Sequence, residues 1–480
     1  QLPARRLAAL RRALATPQAR QRRLRAAYVD TTDGRLSAAG LALRLRDEDG
    51  QWVQTLKGRG DGLAQRLEDE VPLGPAADGA AVPVPDPARH DGTAVGRLLA
   101  RALEGAGALQ VQFVTDIRRC LRVVRSGGAR IEVALDEGEI RAGDARAAVC
   151  EVEFELLEGP RAALLALAGR WAQRFGLVLD VTSKAERGHA LARGVARPPA
   201  VRAGPVSLPP GADLACGRAA MVAAALAQAL PNAAALTNGQ GEAEHVHQLR
   251  VALRRLRTVL GAFGPVDEPR DAAVAALFAA LGEDRDAAVL GQTLAPALRA
   301  ARRLGLAVAE GTAVPAPAPS LVERLQRPDT TALWLDLLRL CEPQAPDTDA
   351  APASLADTAR RQLARLRRRC RRDLARWADL DDAARHGLRK RLKRLRYLLD
   401  ACASLLPRKA LARELAALEP LQDALGQWND RVVAHAALAA KPTPDAADRF
   451  AQGWLAAEAA SIERRCLRAG RRWRRLARPG

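Results

Sequence analysis

Sulfur, aromatic rings and lysine are all scarce in this 480-residue chain. The only methionine is Met221, and the seven cysteines (Cys120, Cys150, Cys216, Cys341, Cys370, Cys402, Cys466) are scattered, odd in number and without a CxxC pair. That spacing argues against a zinc site or a disulfide framework and for reduced thiols in a cytoplasmic protein. Aromatics make up 3%, with two tyrosines. Proteins that read single-stranded nucleic acid need stacking platforms, which this chain can hardly supply. No uncharged apolar run is expected to reach the ~18–20 residues of a membrane span, and no secretory signal opens the chain. It begins at Gln1 rather than methionine, so a processed or trimmed chain is expected.

What the chain does have is arginine. Lysine and arginine number 75 against 55 acidic residues, a net charge of +20, and nearly all the basic residues are arginine. The guanidinium forks onto phosphate oxygens and stays charged everywhere, so a polyanionic partner is expected. Residues 1–200 contribute 31 basic and 25 acidic side chains, the remainder 44 and 30. With bases hard to stack, the expected partner is phosphate without bases. Hydrophobic residues at 48% exclude wholesale disorder, and the length allows two to four domains at roughly 100–200 residues each.

Periodicity divides the chain. Leu41–Arg46, Trp52–Lys57, Ile131–Asp136 and Val149–Leu156 alternate with the period of strands, separated by turn residues at Asp33-Gly34, Gly58 to Gly62, Ser126-Gly127-Gly128 and Glu137-Gly138. Helices are expected near Leu7–Leu14 and Pro160–Phe175, and a long loop from Gly74 to Pro87. Residues 1–195 therefore read as α+β with antiparallel strands. A Pro/Gly-rich linker follows at 196–212, and 213–480 reads as all helix, broken at Ala313 to Pro319 into halves of about 213–312 and 320–480. The halves resemble each other. His247-Gln-Leu-Arg250 through Arg257 aligns without gaps to His386-Gly-Leu-Arg389 through Arg396, and Leu281-Gly282 with Asp286 repeats as Leu425-Gly426 with Asp430, which implies an internal two-fold duplication.

In a strand, residues two apart share a face. Arg44 with Arg46, Glu68 with Glu70, and Glu151 with Glu153 and Glu155 are same-face charged sets. One such pair is ordinary on a solvated face. Several, of both signs, fit a barrel with a charged lumen, carboxylates for a hard cation and basic groups for a phosphate chain.

These segments resemble the CYTH domain of triphosphate tunnel metalloenzymes: Tyr28-Val-Asp-Thr, Leu41-Ala-Leu-Arg-Leu-Arg, Thr55-Leu-Lys-Gly, Leu135-Asp-Glu-Gly-Glu-Ile, Cys150-Glu-Val-Glu-Phe-Glu-Leu and Ser183-Lys-Ala-Glu-Arg187-Gly. The resemblance covers residues 1–195 and implies an eight-stranded antiparallel tunnel barrel whose first strand, an ExExK motif, is expected immediately before residue 1. It implies Asp136, Glu151 and Glu153 as ligands of Mg²⁺ or Mn²⁺. Arg44, Arg46, Lys57, Arg118 and Arg187 would hold phosphates, and Lys184 would be the catalytic residue that positions or activates water. Inorganic triphosphate is the substrate expected first.

In the helical half, successive residues turn by about 100°, which puts His247, Arg250, Arg254 and Arg257 in a stripe about 80° wide, apart from Leu249, Leu253, Leu256 and Leu260. His386, Arg389, Lys393 and Arg396 repeat the design. Arg361, Arg365, Arg368 and Arg372 cluster opposite Leu363, Leu366, Cys370 and Trp377; Arg464, Arg468, Arg471 and Arg475 cluster opposite Ile462, Cys466 and Trp473. One charged stripe is usually a solvated face, but such faces mix signs. Four cationic stripes repel one another unless an anion bridges them. The pattern resembles the CHAD domain, an α-helical domain named for its histidines, over roughly 213–480. That implies a helical bundle binding inorganic polyphosphate through these sixteen residues. The rival expectations are a non-catalytic polyphosphate-binding protein and, less favoured, a nucleic-acid-binding protein.

Overall fold

In the computed structural model the described residues are 6–60, 66–75, 81–208, 211–264, 267–308, 321–342 and 354–476. The Pro-rich break at 313–319, the turn residue Gly62 and the side chain of Asp286 lie outside them.

The N-terminal part begins with helix α1 (Leu7–Leu14), then β1 (Arg20–Thr31), α2 (Arg35–Ala38), β2 (Ala42–Glu48), β3 (Gln51–Arg59), β4 (Arg66–Pro75), α3 (Ala94–Leu103), β5 (Leu109–Ser126), β6 (Ala129–Ala142), β7 (Ala145–Glu158), α4 (Arg161–Phe175) and α5 (Lys184–Ala192). The strands form one antiparallel sheet in the order β4-β3-β2-β1-β5-β6-β7, seven described strands where the family resemblance implied eight. One correction concerns Glu137-Gly138, expected as a turn. β6 runs straight through it, and Gly138 serves close packing, since a Cβ there would lie 2.0 Å from the Asp116 carbonyl oxygen on β5.

Alternation sorts the side chains onto two faces. One face is apolar and covered by helices: Ile131, Val133 and Leu135 pack with Leu10, Leu14, Leu167, Trp171 and Phe175 of α1 and α4, while Leu43, Leu45 and Leu56 pack with Leu36, Val95 and Leu99 of α2 and α3. The other face carries the charges, and all seven strands contribute to the lining of one cavity, so the sheet is concave on that side. Helix α5 closes part of the concave face, with Ala185 and Leu191 against a cluster of Tyr28, Phe113, Ile140 and Val149. The approach is close at Gly188, where a Cβ would fall 2.1 Å from the Phe113 ring. Gly188→Ala should therefore cost about 1–3 kcal/mol, the scale of overpacking a core. Urea unfolding measures it; an unchanged midpoint would mean α5 is free to shift.

Beyond α5, residues 193–208 have neither helix nor strand, and the described residues that follow form helices α6 (Leu214–Thr237), α7 (Ala243–Phe263), α8 (Glu268–Ala280), α9 (Glu283–Arg303), α10 (Leu321–Leu325), α11 (Pro328–Arg339), α12 (Leu355–Ala375), α13 (Asp382–Ala401), α14 (Arg408–Ala439) and α15 (Ala446–Leu476). Here α14 and α15 pack along each other and against α9 through Leu294, Ala297, Ala434, Leu438, Ala451 and Leu455. The expectation about apolar runs needs correction: α6 is long and apolar enough by length and composition to cross a membrane, with no charge from Ala219 to its end. Its most apolar window is 72% buried inside the protein, as in a core helix, and its Gln228 and Asn232 bond to Gln248 and to the Val201 carbonyl.

The chain forms two compact units, each drawn from three stretches of sequence. One comprises residues 1–202, 226–249 and 322–339; the other 203–225, 250–321 and 340–480. Segments of the helical part join the sheet's unit because α11 packs on α4, where Gln173 donates to Asp329 at 3.3 Å.

Candidate active site

The concave face encloses a cavity of about 800 Å³. Its charges are shared unevenly between strands, with Glu68 and Glu70 of β4 beside the basic group and Arg119 of β5 beside the acidic one. β1, β2 and β3 supply Arg22, Arg44, Arg46 and Lys57; β6 and β7 supply Glu132, Asp136, Glu151, Glu153 and Glu155; Lys184 enters from the first residue of α5. Both faces of β7 contribute, Val152 and Phe154 as well as the glutamates, so the cavity continues around the edge of that end strand to Leu335 and Leu338 of α11.

At the acidic end, Asp136, Glu151 and Glu153 each offer an oxygen, all within 4.8 Å of one another. Asp136 is fully buried and takes two bonds of 2.7 Å from Arg119 and a third of 2.7 Å from the Lys184 ammonium. Lys184 also meets Glu153 at 2.7 Å and contacts Glu151, while Arg187 grips Glu151's second oxygen. Burial disfavours the Lys184 charge, but Glu153, Asp136 and Glu151 outweigh it and raise its pKa above the ordinary lysine value. Burial likewise opposes the Glu153 carboxylate, yet Lys184 and Arg119 hold its pKa down to about 2. A locus that gathers three carboxylates around a cationic group, with oxygen donors only, fits a hard divalent cation such as Mg²⁺ or Mn²⁺. Asp136, Glu151 and Glu153 would hold it.

The basic end has the opposite imbalance. Lys57 meets Glu68 at 2.6 Å, Arg46 pairs with Glu48, and Arg44 and Arg46 reach Glu70 at 3.5 and 3.7 Å. Burial and the neighbouring Arg44 push Arg46 down to about 10; the same two causes lower Lys57 despite Glu68. The Nε–H groups of Arg44 and Arg46 are buried without an acceptor among the described residues. Crowded cations with unmet donors favour a bound anion.

Of the expected residues, Arg44, Arg46, Lys57, Asp136, Glu151, Glu153 and Lys184 come together in the cavity, with Arg187 behind Glu151. Arg118 does not. It is exposed on the opposite side of β5, and its neighbour Arg119 lines the cavity, set between Arg22 on β1 and Asp136 on β6. The strand parity decides this: Thr115, Ile117 and Arg119 share the cavity face. Counting outward from Phe113 of β5 would have found it.

The sixteen residues expected on helices fall into two groups. On α12 and α15, Arg361, Arg365, Arg368, Arg372, Arg464, Arg468, Arg471 and Arg475 are all exposed, while Leu363, Cys370, Ile462, Cys466 and Trp473 are buried. These two helices pack on each other. The histidine-headed rows are instead partly consumed by packing. Arg250 is 8% exposed and stacks at 4.7 Å on Phe278, Arg254 stacks on the same ring at 5.4 Å, and Arg257 forks onto Asp271 at 2.9 and 3.0 Å. His386 meets Asn429 at 2.5 Å and Arg396 meets Gln422 at 3.4 Å; His247, Arg389 and Lys393 are half-buried.

A CYTH domain family profile matches residues 4–189 and a CHAD domain profile matches residues 220–439. An inorganic triphosphatase of Haemophilus influenzae is 31% identical over 167 residues, which is 34% of this chain and 44% of that protein's length. A crystal structure of the CHAD domain from the plant Ricinus communis is 28% identical, covering 57% of this chain and 96% of its own, with a TM-score of 0.42. A Hippeastrum adenylyl cyclase candidate, described as having a dominant triphosphatase activity, is 19% identical, covering 40% and 92%, with a TM-score of 0.30.

Proposed function

The chain is a CYTH domain followed by a CHAD domain, and from that premise we propose that its concave cavity hydrolyses inorganic triphosphate with Mg²⁺ or Mn²⁺, while its helical part binds inorganic polyphosphate. The observation that carries the reading is the uneven sharing of charge in one cavity: a carboxylate trio around the fully buried Asp136 at one end, crowded cations at the other. Arg44, Arg46 and Lys57 hold the phosphate chain and orient it. Asp136, Glu151 and Glu153 hold the metal. When bound, a divalent cation would supply positive charge against the charge that develops on the phosphates. Lys184, placed among the carboxylates, is positioned to hold the attacking water or to take up charge on the terminal phosphate. Arg119 and Arg187 pair with the carboxylates and aim them.

A panel of inorganic triphosphate, thiamine triphosphate and a nucleoside triphosphate at equal concentration, assayed for phosphate release with added metal, tests the substrate. Inorganic triphosphate should be turned over fastest, because the cavity is lined by charges with little aromatic surface for a base. Faster turnover of the nucleotide, or formation of a cyclic nucleotide, would assign the cavity another substrate.

A further inference from the structure

Helix α5 carries Lys184, and the chain on both sides of it is held by the junction of α6 and α7, residues 238–245. On the near side, Asn238 donates its amide to one oxygen of Asp180 at 3.0 Å, and the other oxygen accepts the Thr182 N–H at 2.8 Å. Thr182 is the residue before the capping box of Ser183 and Glu186 that starts the helix, so this bond fixes where α5 begins. On the far side, His245 contacts the Pro198 carbonyl through Nε2 at 3.1 Å, and Arg197 pairs with Glu242 at 2.8 Å. The His245 tautomer is set: Nδ1 accepts the Glu242 N–H at 3.0 Å, which leaves the proton on Nε2 for Pro198.

Asn238 and His245 lie within the CHAD match, yet they belong to the same compact unit as the sheet. Lys184 must reach its carboxylates to a fraction of an ångström, and the capping box alone fixes the local turn without fixing where α5 sits on the concave face. We propose that Asn238 and His245 are positioning residues for Lys184, so that the α6–α7 connection of the helical part sets the working geometry of the cavity. The inference rests on Lys184 taking part in triphosphate hydrolysis.

The test uses the whole chain with Asn238→Ala, alone and combined with His245→Ala. Hydrogen exchange at the amides of residues 182–187 reads the clamp without reference to activity and should accelerate about ten-fold or more as the restraint is lost. The kcat for triphosphate should fall about ten-fold, the scale of a slightly misplaced catalytic group, with KM nearly unchanged. A merely structural role would lower the melting temperature and leave kcat of the folded fraction alone. Unchanged exchange and unchanged kcat in the double variant would overturn the proposal, and the half-buried, turn-sited Asn238→Ala keeps a folded protein for the test should the double variant not fold. If the unaltered chain hydrolyses no triphosphate but the exchange at 182–187 responds, the clamp stands and the functional reading falls.

Discussion

Replacing Glu151 and Glu153 together with glutamine should lower metal-dependent triphosphate hydrolysis about a thousand-fold or more, the loss of several kcal/mol of charge stabilisation. Glutamine keeps the size and an accepting oxygen for Lys184, Arg119 and Arg187, but it removes the two negative charges that would hold a divalent cation. The fold should persist because Asp136 keeps its two bonds from Arg119 and the apolar face of β6 is untouched. Phosphate release and a thermal melt on the same preparation separate the two effects. A folded double variant with near-normal turnover would remove the metal from Asp136, Glu151 and Glu153.

Reversing Arg365, Arg368, Arg468 and Arg471 to glutamate should weaken binding of long-chain polyphosphate by about a hundred-fold or more and flatten its salt dependence, since each phosphate contact releases a counterion. These four side chains are exposed and lie opposite buried Leu363, Cys370, Cys466 and Trp473, so the helices should keep their packing. Arg250 behaves differently. Its guanidinium is buried against Phe278, and a glutamate there would unfold or distort the bundle before it reported on binding. Filter binding with DNA of equal charge as competitor reads the result: retained affinity in the four-fold variant, or equal competition by DNA, would rule out a polyphosphate surface on α12 and α15.

The division between what the residues foretold and what they did not has physical causes. Strands β2, β6 and β7 alternate cleanly because each has one apolar and one charged face, and the same-face pairs on β2, β4 and β7 do line one cavity. β1 and β5 were missed as alternating segments because paired arginines, Arg22-Arg23 and Arg118-Arg119, put one cation on each face and break the period. The same doubling hid Arg119 behind Arg118. On the helices, a 3.6-residue count gives which side chains share a stripe but not whether that stripe meets solvent or Phe278 and Asp271. Long-range recruitment is not visible: nothing in residues 226–249 or 322–339 marks them as belonging to the same unit as the sheet.

Phosphate release from inorganic triphosphate by the unaltered chain, measured before chelation, after chelation and after Mg²⁺ or Mn²⁺ is restored, tests the central claim most directly. Hydrolysis that vanishes with the chelator and returns with either ion is the predicted result. Hydrolysis indifferent to the chelator, or none under any of the three conditions, would contradict it.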